Sequence, residues 1–277
     1  ELAERTGIYD TLGFDLVAMV ANDLATAGFE PTNISNIIDV NRLDRDTINA
    51  LMKGLSEACD LCGMSISGGE IAELGNRIGG YGNGMHFNWC STAIGVLPDE
   101  LKAPFDGTAV KAGDIVVSLK GHGFRSNGFS LIRRIMDTSF GDNWHNEVYD
   151  DNQTWGEVLL TPSLIFTPVI TKMIKNGVQL SGIAHITGGG IIDNFQRVLK
   201  ANSLGADLNN LFEPLEVMQR LMDLGSVSAE DAYLYWNMGN GMLVVAEESQ
   251  IDQLLRTASA LNYDARVAGV ITTDRSI

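Results

Sequence analysis

Cysteine, proline and positive charge are all scarce in this chain, and each shortage excludes something. Three cysteines among 277 residues, Cys59, Cys62 and Cys90, cannot build a disulfide framework. Such usage predicts a reducing cytoplasm. Six prolines against thirty glycines predict tight turns and no Pro-rich linker. Nineteen Lys and Arg against 35 Asp and Glu give a net charge of −16. That balance argues against nonspecific binding of nucleic acid or an anionic membrane. A small anionic substrate needs only a local pocket and is not excluded. No apolar run approaches the roughly 20 residues that span a bilayer. The opening Glu1-Leu2-Ala3-Glu4-Arg5 is not followed by the apolar core of a signal peptide.

Familiar signatures are missing too. There is no Gly-Lys dipeptide and hence no Walker A loop. No Gly-x-Gly-x-x-Gly occurs, so a Rossmann fingerprint is absent. Gly123-x-x-Ser126-x-Gly128 is not the Gly-x-Ser-x-Gly of serine hydrolases. His86, His122, His145 and His185 lack zinc-ligand spacing. Cys59-x-x-Cys62 falls late in a helical stretch, where no helix N-terminus activates a thiol, so packing is its predicted role.

What is present is an alternation of helical and strand patterns, the mark of an α/β or α+β protein. The periodicity predicts a helix from Asp15 to Ala27 and a strand from Ile34 to Val40. Asp44 is the predicted N-cap of a helix running to about Cys62, stopped by Gly63. Met64 to Ser67 reads as a short strand entering a Gly68-Gly69-Glu70 turn. A glycine-rich loop, Gly75 to Gly84, precedes a strand from about Phe87 to Leu97. Residues 98–113 hold Pro98, Pro104 and Asp106-Gly107 without periodicity and read as a domain junction. This gives an N-terminal unit, 1–98, and a C-terminal unit, 111–277. In the second unit, strands are predicted at Asp114–Leu119, Met242–Ala246 and Arg266–Thr272. Helices are predicted at Phe129–Asp137, Pro214–Leu224 and Ser249–Leu261. Thr161-Pro162 predicts a further helix start, running to Lys175. Phe140 to Asp151 reads as an irregular surface excursion.

The most informative stretch is His185-Ile186-Thr187-Gly188-Gly189-Gly190, between a short strand and a helix. Glycines let a ligand approach the backbone, and a helix start leaves N–H groups unpaired, which suits phosphate. A histidine there can titrate near neutrality. A plain tight turn beside a buried histidine explains the run equally well. Other candidate segments are Asn22-Asp23, Gly68-Gly69-Glu70, Arg125-Ser126-Asn127-Gly128 and Asn237-Met238-Gly239-Asn240-Gly241. Carboxylates without thiolate or imidazole partners suit Mg²⁺. Arg and Ser at a helix start suit phosphate. Together they suggest a nucleotide enzyme with its site between domains.

The order of these segments resembles one family. Tyr9 to Leu24 resembles the first long motif of phosphoribosylformylglycinamidine cyclo-ligases, or AIR synthetases. Gly68-Gly69-Glu70-Ile71-Ala72-Glu73 resembles their Gly-Gly-Glu-Thr-Ala-Glu, and Ser126-Asn127-Gly128-Phe129-Ser130-Leu131 their Ser-Asn-Gly-Tyr-Ser-Leu. Leu160-Thr161-Pro162, the His185 run and Asn237-Met238-Gly239-x-Gly241-Met242 follow in family order. The resemblance implies two α/β domains in an AIR-synthetase-like fold. It also implies a homodimer whose N-terminal strands share a barrel, with ATP near the dimer interface. The implied reaction closes the imidazole ring of a purine precursor, a phosphorylated ribonucleotide, after ATP activates its formyl oxygen.

Carried over by position, Asn22, Asp23, Gly68, Gly69 and Glu70 would contact nucleotide, with Asp23 and Glu70 holding Mg²⁺. Arg125, Ser126, Asn127, Gly128, Thr187, Gly188, Gly189, Gly190, Asn237, Gly239 and Gly241 would contact substrate. His185 would sit at the reacting centre as acid/base or oxyanion stabiliser. The chain departs from the pattern at three places. The family's Asp-Gly-x-Gly-Thr-Lys segment would precede Glu1, so the N-terminal domain is expected to be incomplete at its start. The usual His before Ser-Asn-Gly is Arg125, and the Thr after Gly-Gly-Glu is Ile71. The alternatives are another ATP-using relative, of selenophosphate synthetase, thiamine-phosphate kinase or hydrogenase-maturation type, or a non-catalytic binding relative.

Overall fold

The computed structural model describes residues 1–277. In the N-terminal unit the order is α1 (Leu2–Thr6), α2 (Leu12–Thr26), β1 (Glu30–Val40), α3 (Arg45–Cys62), β2 (Ser65–Glu73) and β3 (Phe87–Val96). The C-terminal unit runs β4 (Ile115–Lys120), α4 (Phe129–Phe140), α5 (Trp155–Leu159), α6 (Thr167–Lys175), β5 (Leu180–His185) and α7 (Gly190–Leu199). It continues with β6 (Gly205–Asp207), α8 (Glu216–Gly225), α9 (Ala229–Tyr235), β7 (Asn240–Ala246), α10 (Ile251–Ala260) and β8 (Ala265–Thr272).

The first sheet has the order β2-β1-β3, with β1 parallel to β2 and antiparallel to β3. Its strands alternate. Ile34 and Ile38 are buried in clusters with residues of α2 and α3, whereas Ile37 is 47% exposed. One face therefore carries the helices and the other stands open. Helices α2 and α3 cross at Gly13 and Gly54, where a Cβ on Gly54 would overlap the Asp10 carbonyl and one on Gly13 the Gly54 backbone. Asp44 caps α3 as predicted, accepting from the Thr47 N–H at 2.9 Å.

The second sheet is antiparallel, in the order β5-β7-β4-β8-β6. Successive residues of β4 point to opposite faces, so Val117 and Leu119 join a core with α6 and α10 while Val116 joins one with α7. Strands β5 and β7 are buried throughout; Met242 to Ala246 of β7 therefore reads as a continuous apolar run, whereas β5 includes the buried polar Ser181 and His185. A third cluster packs α4, α8 and α9 around Trp144, Trp155 and Trp236.

Several expectations need correction. Thr161-Pro162 does not start a helix. The chain stays non-helical to Phe166, and α6 begins at Thr167-Pro168. Side chains hold this segment open: Asn22 Oδ1 accepts from Phe166 N–H at 2.7 Å and Thr167 N–H at 3.2 Å, and Tyr263 donates to Ile165 O. Gly68-Gly69-Glu70 is not a turn after a strand but the middle of β2, paired with Ser35, Asn36 and Ile37. Four short elements, α1, α5, β6 and α9, lie outside the predicted set, and Trp144 within the expected surface excursion is buried.

Candidate active site

The site forms where α2 of the first unit meets β5 and the loop before α4. Residues seven or eight apart share a helix face, and Asp15, Asn22 and Asp23 are such a set. All three reach the second unit. Asp15 Oδ1 accepts from the Ser163 N–H at 3.0 Å and from its hydroxyl. Asn22 holds the start of α6, as above. Asp23 Oδ1 lies 2.8 Å from His185 Nδ1.

His185 ends β5 and is 6% exposed. Its Nε2 faces two donors, a guanidinium nitrogen of Arg125 and the Asn22 side-chain amide at 3.4 Å. Arg125 is itself 4% exposed, and its other terminal nitrogen donates to Leu164 O at 2.9 Å. The Arg125 Nε is buried without a partner, an arrangement that costs about 1–3 kcal/mol. Burial pushes the His185 imidazole below its ordinary value, the Asp23 hydrogen bond pulls it back, and the Arg125 charge lowers it further. Burial also lowers the Arg125 guanidinium to about 10, against the pull of Asp15 and Asp23, so it stays a cation at neutral pH. Burial raises the Asp15 carboxyl, opposed by the Ser163 hydrogen bonds and by Arg125.

Beyond His185 the chain turns through Thr187 to Gly190 into α7, with Gly189 at φ 92°. Asn194, one turn into the helix, donates back to the carbonyls of Gly190 at 2.7 Å and Gly188 at 3.2 Å. The Gly190 N–H bonds Thr187 O, while the amides of Gly188 and Gly189 meet no protein acceptor. A Cβ on Gly190 would overlap the Tyr233 carbonyl. A groove of about 150 Å³ opens here, lined by Asp23, Thr26, His185, Thr187, Asn194 and Arg197 among others. Arg197 makes no ion pair and supplies a free cation at the groove.

The structure therefore brings Asn22, Asp23, Arg125, His185 and Thr187 to Gly190 together. Ser126 and Asn127 flank them. Asn127 lies 3.1 Å from where a Gly188 Cβ would stand, and Arg125, Ser126 and Gly128 all have positive φ. Asn237, Gly239 and Gly241 take a different place. Asn237 is 2% exposed and donates to Gly123 O, and Gly239 O accepts from Gly121 N–H. A Cβ on Gly241 would overlap the Phe166 ring, so the three brace the loop from behind.

Gly68, Gly69 and Glu70 are not brought to this cluster. Glu70 pairs with Ile37, and paired residues of neighbouring strands share a face, so it stands on the open face of the first sheet, opposite α2 and Asp23. No group of three His, Cys, Asp or Glu side chains forms a metal cage. Burial pushes the thiols of Cys59 and Cys62 up to about 11 and about 12, as expected for packing residues. The residue reading missed Asp15, Ser163, Asn194 and Arg197. The first was findable from its helical spacing to Asn22, and Asn194 from its i+4 relation to Gly190.

Such a fold, two α/β units with a polar cluster at their junction and a glycine turn at a helix start, defines a class. Residues 6–97 match the family described as AIR synthase related protein, N-terminal domain, and residues 111–277 match its C-terminal domain. The solved structure titled "Crystal structure of HypE-HypF complex" shares the fold, with TM-score 0.69 at 18% identity over 96% of this chain and 81% of that one. The thiamine-monophosphate kinase of Stenotrophomonas maltophilia K279a does likewise, with TM-score 0.67 at 14% identity over 95% and 76%. At these identities the likeness is one of fold. The phosphoribosylformylglycinamidine cyclo-ligase of Carboxydothermus hydrogenoformans is 36% identical over 98% of this chain and 77% of its own length. The chain belongs to the phosphoribosylformylglycinamidine cyclo-ligase family.

Proposed function

We infer that this chain is an enzyme that closes the ring of formylglycinamidine ribonucleotide to give aminoimidazole ribonucleotide, using ATP, in de novo purine synthesis. The observation that carries the reading is the free Gly188 and Gly189 amides beside Asp23 and His185, at the junction of two domains matched to this family. Those amides and Arg197 fit an anionic phosphate at a helix start. ATP supplies the phosphoryl group that makes the formyl oxygen a leaving group. The chain's own residues hold the substrate: Thr187 to Gly190 shape the turn, Ser126 and Asn127 close its side, and Asn237, Gly239 and Gly241 brace them. With both ring nitrogens engaged, His185 works as an anchor of the charged cluster more than as a free acid or base.

Mg²⁺ is part of the same proposal. Magnesium is commonly held by one or two carboxylates plus phosphate oxygens, and Asp23, its side chain 72% exposed, offers one. Glu70 cannot join it within one chain. Its contribution belongs on the open face of β2-β1-β3, where Ile37 and Ile94 stand exposed. We propose that a second copy covers this face in a homodimer, with Glu70 and its two glycines at the interface between the copies and apart from the Mg²⁺ at Asp23. No helix is long and apolar enough to cross a membrane, and the cytoplasm is the proposed compartment. The test is substrate-dependent ADP release with formylglycinamidine ribonucleotide and Mg²⁺–ATP. Release well above an ATP-only control is expected, and ADP no higher than that control overturns the reading.

A further inference from the structure

Arg125 is a buried cation with no carboxylate in contact. None of the molecule's ion pairs includes it, although buried charges are ordinarily paired. Its guanidinium lies 5.0 Å from the Phe166 ring centroid, bonds Leu164 O, and points its remaining terminal nitrogen at His185 Nε2.

The chemistry of that contact has one solution. A guanidinium only donates. His185 Nε2 must therefore accept, so it carries no proton. The Asn22 amide, 3.4 Å from the same nitrogen, donates in the same direction. The proton of the neutral ring is then on Nδ1, which faces Asp23 Oδ1 at 2.8 Å. Arg125 thus fixes the direction of a hydrogen bond on the far side of the ring, across the boundary between the two units.

We propose that Arg125 is a positioning residue: acting through His185, it locks the imidazole as an Nδ1–H donor and so holds the Asp23 carboxylate in place beside the glycine turn. Lysine keeps the charge but cannot bridge Leu164 O and His185 with a planar fork. Histidine at this position could accept as well as donate, and would leave the direction open.

The tautomer claim rests on geometry alone, and its effect on turnover rests on the cyclo-ligase reading. The first test is a two-bond ¹⁵N–¹H spectrum of the full chain labelled at histidine, with His185 assigned by His185→Gln. A neutral Nδ1–H ring with unprotonated Nε2 is expected at pH 7, and an Nε2–H ring overturns the proposal. The second test is Arg125→Met beside Arg125→Lys. For a residue acting on the reacting geometry, Arg125→Met should lower kcat about tenfold or more with KM for ATP changed less than about threefold. His185 should then show mixed tautomers, and Arg125→Lys should recover part of the turnover. A folded Arg125→Met with a pure Nδ1–H ring and unchanged kcat overturns the proposal. The wild-type spectrum needs neither turnover nor a stable variant, so it decides the matter if Arg125→Met does not fold or the substrate assignment fails.

Discussion

His185 shows how one residue's chemistry is set by its neighbours. Burial and the Arg125 charge favour the neutral ring, and Asp23 only partly offsets them. The folded-state value lies below the ordinary 6.5. Between the two, the unfolded chain binds more protons, so stability rises with pH across that window and is lost on acidification. Urea melts at a series of pH values below and above 6.5 should show this slope, and His185→Gln should flatten it. An unchanged slope in the variant would assign the acid sensitivity to another group. His185→Ala should also lower turnover about tenfold or more while ATP affinity changes less, a split readable from kcat and a calorimetric Kd. Equal losses would contradict its place at the reacting end of the site.

At the scale of elements, two close approaches matter most. The α2–α3 crossing exists because Gly13 and Gly54 carry no side chains. Gly54→Ala drives a methyl into the Asp10 carbonyl, and overpacking of this kind costs about 1–3 kcal/mol or somewhat more. In a chain of this size that is roughly 3–10 °C of melting temperature, measurable by calorimetry. Since α2 carries Asp15, Asn22 and Asp23, the same variant should weaken ATP binding. A smaller effect is expected at α5, whose capping box joins Thr154 and Glu157. Thr154→Ala should cost about 1 kcal/mol without changing kcat.

For the whole molecule, the decisive feature is the uncovered face of the first sheet. A sheet with one face on helices and isoleucines on the other predicts a partner. Ile37→Glu should shift the protein toward monomer in sedimentation velocity, with its circular dichroism spectrum retained. A wild-type protein that sediments as a monomer at micromolar concentration would remove the homodimer from the proposal. The two units within one chain are joined chiefly through α2, whose stripe of polar side chains reaches Ser163, the start of α6 and His185.

Local physics left its trace in the sequence, and there the reading was direct. Periodicity placed α2, the Asp44 cap placed α3, and the glycine run at 188–190 marked the start of α7. The order of short motifs identified the family, because each motif is a contiguous string. What depended on residues distant in the chain was decided by tertiary structure. Thr161-Pro162 has every local reason to begin a helix, yet Asn22, about 140 residues earlier, holds the following segment open. Glu70 reads like a companion of Asp23, yet strand alternation puts it on the far face of a sheet. Arg125 reads as a phosphate-binding cation at a helix start, yet its guanidinium is buried against His185, sixty residues away. Such pairings carry no periodic signature, since only the packed domains determine which side chains meet.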